Sequence, residues 1–176
     1  MNRFLSILGC LALCSAPAFA QKAAGAATMT DQQFVDMAAQ TDMVEANLGQ
    51  MAQDAASSQS VKQYAQMLVT DHTADYKKLQ SLAMQANVTV STGIDAAHYK
   101  MMIAPFQKLK GKQFDTRYTR EMVAGHTKAI AAYKKEADSA TSPDIKSYAQ
   151  DTIPTLQKHL DDAKAIQQGM TPPDMQ

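Results

Sequence analysis

Four ionisable residues of this 176-residue chain stand where the surrounding pattern asks for apolar ones: Glu45, His72, His126 and His159. An imidazole or carboxylate buried by helix packing must find a hydrogen-bond or metal partner. Three imidazoles and one carboxylate can together form the inner ligand set of a single divalent transition metal such as zinc, iron or copper. Asp42 lies one helical turn before Glu45, and Asp75 and Asp162 lie one turn after His72 and His159. These three carboxylates are candidates for extra ligands or for acceptors of the ring N–H groups. The alternative is a structural or stress-related interaction module with a metal-free buried polar cluster, its histidines bonded to Glu45 or to backbone and serving only to fix helix register. A di-iron centre is disfavoured, because the chain has no Glu-x-x-His motif.

Two further patterns invite metal chemistry. Asp95 and His98 are one turn apart, which suits two ligands or, more simply, a local cap. Eleven methionines follow residue 20, with Met101 and Met102 adjacent, so copper(I) is a candidate cargo. Methionine at helical spacing is more often core filler. Serines fall at caps and turns with no histidine–acid pattern around them, and no glycine-rich phosphate loop is present. No nucleophile or substrate pocket is therefore indicated, and the chain does not read as an enzyme.

The elements that must position the four residues are long amphipathic helices. Ser60 to Ala83 carries apolar residues Val61, Tyr64, Ala65, Leu68, Leu79, Leu82 and Ala83 at helical spacing, with His72 in the gap. A helix before it is expected from the capping box Thr30–Gln33 to about Ala56, holding Glu45 in its stripe. Ser57–Gln59 is short enough to fold these two into an antiparallel hairpin. Asn87 to Gly93 reads as an extended connection, followed by a short helix from about Ala96 to Leu109 that Pro105 bends or divides. A second hairpin is predicted from Gln113 to Ser139, with His126 four residues from both Met122 and Ile130, and from the Ser142-Pro143 start to Gly169, with His159 at the stripe's edge. Pro154 should kink this last helix. Val61-Lys62-Gln63-Tyr64-Ala65-Gln66 resembles Ile145-Lys146-Ser147-Tyr148-Ala149-Gln150, each opening the second helix of its hairpin. Two hairpins joined by a long connection imply an all-α, ferritin-like four-helix bundle with a short helix in the crossover. At about 1.5 Å of rise per residue, all four ionisable residues then fall near mid-height, whichever ends the two turns occupy.

The organisation expected along the chain is a signal peptide at 1–20, a flexible leader at 21–29, the bundle at 30–169 and a tail at 170–176. Arg3, the apolar run Phe4–Cys14 and Ala18-Phe19-Ala20 make the signal peptide, with cleavage before Gln21. A lipoprotein signal fits poorly, since Cys10 has too little apolar sequence before it and Leu13 is bulky beside Cys14. Cleavage removes both cysteines, so the exported chain uses neither disulfides nor thiolate ligands. No later stretch is apolar enough for a transmembrane helix, so any envelope association is peripheral. The expected location is the periplasm. Sixteen basic residues against seventeen acidic remain after Arg3 leaves, without a basic block, which argues against nucleic acid as a partner. Oligomeric state is not readable.

Glu45-Ala46-Asn47-Leu48-Gly49, Asp71-His72, Phe114-Asp115-Thr116-Arg117-Tyr118, His126 and Ile153-Pro154-Thr155-Leu156-Gln157-Lys158-His159-Leu160 resemble, in order, the motifs of the bacterial domain-of-unknown-function family 4142. Ile153 stands where that family more often has leucine. The resemblance implies a ferritin-like fold and export, supports the inward placement of Glu45, His72, His126 and His159, and implies no activity.

Overall fold

A computed structural model describes residues 29–175, so the expected signal peptide and nearly all of the leader lie outside the described residues. Four long helices form the bundle: α1 (Asp31–Ala55), α2 (Gln59–Ala86), α4 (Gly111–Ser139) and α5 (Pro143–Gln167), with a single turn of helix, α3 (Ala96–His98), in the crossover. Among the described residues there is no strand. The helix starts follow from local chemistry. Thr30 and Gln33 make both halves of a capping box, and Ser58 and Ser142 accept from the N–H groups of Val61 and Ile145. Asn87 ends α2 in the left-handed conformation, at φ 60°.

The crossover helix is divided, one of the two outcomes expected of Pro105. The helix predicted from Ala96 to Leu109 is cut into α3, a π-helical turn (Tyr99–Ile103) and a 3-10 turn (Ala104–Phe106). Pro105 has no N–H to continue an α-helical ladder, so the chain changes hydrogen-bond register just before it.

The two hairpins, α1–α2 and α4–α5, run with their turns at opposite ends of the bundle. Asp115, near the start of α4, accepts from the backbone N–H groups of Ser57 and Ser58 and from the Ser57 hydroxyl at the α1–α2 turn. Asp31, the first residue of α1, accepts from Thr141 and Ser142 at the α4–α5 turn. Each hairpin thus holds the other's turn with one carboxylate. The crossover must traverse the bundle to join α2 to α4, which makes those two helices parallel, as in ferritin-like bundles.

The core has two apolar halves. One gathers Leu48, Tyr64, Leu68, Phe106, Phe114 and Tyr118, and the other Phe34, Leu79, Tyr133, Ile145, Tyr148 and Leu156. Between them the helices supply a buried polar layer: Asp42 and Glu45 from α1, His72 from α2, His126 from α4 and His159 from α5.

Candidate metal centre

The four residues singled out in the sequence meet in that layer. His72, His126 and His159 are 1–3% exposed and Glu45 5% exposed, so all four are cut off from bulk water. One nitrogen of each ring can be chosen so that all three lie within 4.8 Å of one another. Glu45 Oε2 lies 3.2 Å from His72 Nε2 and 3.5 Å from His126 Nε2. His126 Nε2 and His159 Nδ1 are 3.2 Å apart.

The outward nitrogens explain which ring atoms face inward. His126 Nδ1 donates to the Met122 carbonyl at 2.9 Å, leaving its Nε2 with a lone pair in the neutral ring. His159 Nε2 donates to Asp71 Oδ2 at 2.9 Å, which leaves the lone pair on Nδ1. His72 Nδ1 meets Asp42 Oδ1 at 2.8 Å and turns Nε2 towards Glu45. Carbonyl or carboxylate acceptors behind metal-binding imidazoles fix ring orientation in this way. Inside the ring of residues, neither His72 Nε2 nor Glu45 Oε2 completes a hydrogen bond. Two neutral rings would also present lone pairs to each other across the His126–His159 contact, an arrangement that calls for a proton or a cation between them. The donor set therefore fits a transition metal.

Charge in the metal-free cluster is set by the same contacts. Burial opposes ionisation of Glu45, yet the surrounding imidazoles, His126 first and then His72, outweigh it and bring the carboxyl down to about 2. Burial likewise opposes charge on His72, but Glu45 and Asp42 raise it to about 10. Burial pushes Asp42 up to about 7 against the pull of His72. His159 is lowered to about 4 by burial and by the positive charge of His72. The proton thus resides on His72, facing ionised Glu45.

The other candidates are placed elsewhere. Asp75 accepts from the Tyr148 hydroxyl at 2.6 Å, and Asp162 meets Lys158 Nζ at 2.7 Å, so neither backs a histidine. His98 pairs with Asp95 in the crossover, where Asp95 also takes the His98 backbone N–H as a cap. Asp71 was not predicted as an acceptor. It adjoins His72 in sequence but reaches across to α5, a direction that only the packing of α2 against α5 reveals. A cavity of about 530 Å³ on that side is lined by Asp71, His72, Asp75, Lys78, Lys158 and His159, and so borders the centre.

Comparison with solved structures returns the same architecture. CopM in its Cu(II)-bound form superposes with a TM-score of 0.64 at 18% identity, covering 81% of this chain and 99% of that one. CopM in a Ag-bound form gives 0.61 at 17% identity, covering 81% and 98%. A DUF305 fragment from Deinococcus radiodurans gives 0.68 at 16% identity, covering 82% and 99%. At such identities the likeness is one of fold. No curated protein matches the sequence significantly. The family model described as "Domain of unknown function (DUF4142)" matches residues 16–166, and the chain belongs to that family.

Proposed function

We propose that the protein is an exported, periplasmic metal-binding protein that holds one transition-metal ion, copper by preference, between Glu45, His72, His126 and His159. The observation that carries this reading is the orientation of the rings: three outward nitrogens are held by Asp42, Asp71 and the Met122 carbonyl, while the inward nitrogens of His72 and His126 face Glu45 and that of His159 faces His126. Imidazole-rich sites favour copper over zinc and iron in the divalent series. The fold likeness to a protein whose structures hold Cu(I), Cu(II) and Ag supports the same choice. Bound there, copper would have a one-electron couple, and this chain's own part is to bind it, orient the rings and exclude water from most of the shell. The periplasmic location rests on the signal-like residues 1–20 and agrees with the absence, among the described residues, of any helix long and apolar enough to cross a membrane. Residues 30–169 are proposed as the folded unit.

A metal-free polar cluster is the second reading, favoured by the His126–His159 contact, which one shared proton would satisfy. Elemental analysis decides between them. Protein purified from its native envelope fraction without a histidine tag should take up one equivalent of Cu(II) at this centre, retained after dialysis. Substoichiometric metal under copper supplementation, with a fully folded chain, would leave only the structural reading.

A further inference from the structure

The opposite seam of the bundle, between α1 and α4, carries a second cavity of about 390 Å³ with a different lining. Four methionines border it: Met29, Met37, Met102 and Met122. They come from the start of the described chain, from α1, from the crossover and from α4, so the fold collects thioethers that sequence spacing keeps apart. His98 borders the same cavity. Its Nδ1 lies 2.8 Å from Asp95 Oδ2, and Asp95 also anchors the His98 backbone N–H. An ionised carboxylate only accepts, so in the neutral ring the proton sits on Nδ1 and Nε2 carries the lone pair. Gly125 and Glu45 also border the cavity. Thioethers with one oriented imidazole form a soft, weakly charged donor set, which discriminates in favour of Cu(I) or Ag(I) and against zinc.

We propose that this α1–α4 cavity is a second metal site, specific for a soft monovalent cation, with Met37, Met102 and Met122 as thioether donors and His98 Nε2 as the imidazole donor. Glu45 of the histidine centre also borders this cavity, so the two sites are neighbours that use different donors. The adjacent Met101, at 63% exposure, lies on the surface and does not border the cavity, and neither do Met84 and Met170.

Silver(I) titration of the mature protein labelled with ¹³C at the methionine methyl groups tests the proposal, first with the histidine centre loaded with zinc and then without. The methyl signals of Met37, Met102 and Met122 should shift together and saturate at one equivalent in both states, while those of Met84, Met101 and Met170 stay still. The volume-conserving pair Met37→Leu with Met102→Leu should retain the fold and weaken silver binding at least about tenfold, and His98→Gln should weaken it in the same direction. Zinc or copper stoichiometry at the histidine centre, measured separately, should be unchanged in these variants. Shifts confined to exposed methionines, unaltered silver affinity in the double variant, displacement of zinc without methionine shifts, or no silver binding would each overturn the second site. Zinc displacement would place silver at the histidine centre instead, and the other three outcomes leave that centre untouched.

Discussion

His126 has both nitrogens committed, Nδ1 to the Met122 carbonyl and Nε2 towards Glu45 and His159, so its loss should separate binding from folding. His126→Ala, like His72→Ala and His159→Ala, should abolish stoichiometric uptake at the centre, read as metal retained after dialysis, whereas His98→Ala should leave that equivalent in place. In the metal-free protein each of the three costs about 1–3 kcal/mol in denaturant unfolding, because a buried partner is left without its bond. Asp71→Ala should weaken affinity about ten- to hundredfold at unchanged stoichiometry, measured by chelator competition. Asp162→Ala should not, since its carboxylate meets Lys158. Metal must also compete with a proton. His72 is raised to about 10, so the ring is charged at neutral pH before metal arrives. Binding uses its lone pair, and about one proton should leave per metal bound. Affinity should therefore rise with pH through the neutral range, and calorimetry in two buffers of different ionisation heat should give different apparent enthalpies. Equal enthalpies would contradict the protonated state. The histidines and Glu45 were legible because each interrupts an apolar stripe. Asp71 was not, because its use depends on which helix lies beside α2.

At the scale of the elements, capping and periodicity place the four long helices well, since Thr30, Ser58 and Ser142 each satisfy backbone N–H groups that the helix start leaves free. The crossover was harder. Periodicity continues through Met101 and Ile103, but Pro105 removes the donor on which an α-helix there would depend. The hairpins also carry a feature with a sign that sequence propensity gets backwards. Replacing a mid-helix glycine by alanine ordinarily stabilises by about 1 kcal/mol. At Gly49 of α1 the new Cβ would lie 2.7 Å from the Ala65 carbonyl oxygen and 2.7 Å from Val69 Cγ2 on α2. The backbone oxygen cannot yield without parting the two helices, so Gly49→Ala should destabilise by about 1–3 kcal/mol. At Gly125 of α4 the nearest atom is Glu45 Oε1 at 3.5 Å, an ordinary contact, and Gly125→Ala should follow propensity instead. Urea midpoints moving in the same direction for both would show that the α1–α2 approach is looser than described.

The whole molecule is two hairpins that share one centre. Glu45 and His72 belong to the first, His126 and His159 to the second, and each hairpin's turn is held by a carboxylate from the other, Asp115 and Asp31. Within this layer the hairpins meet through polar atoms, while the seams on either side carry cavities. A buried polar layer of this kind contributes little net stability by itself, because desolvation offsets the attraction between its charges. A metal bound there would alter that balance by joining two ligands from each hairpin. Binding to the folded chain alone stabilises it by about 2.7 kcal/mol at a free-ion concentration one hundred times Kd. The gain should extend across both hairpins, because opening either one breaks the shell. Hydrogen exchange should therefore slow in α1, α2, α4 and α5 together on metal addition, and the urea midpoint should rise with metal concentration. Asp115→Ala, which frees the α1–α2 turn, should lower the midpoint with and without metal and leave the metal-dependent increment intact, since the ligands are at mid-height rather than at the turn. Protection confined to one hairpin would mean that the ion is held by that hairpin alone, and the four-residue centre would then fall.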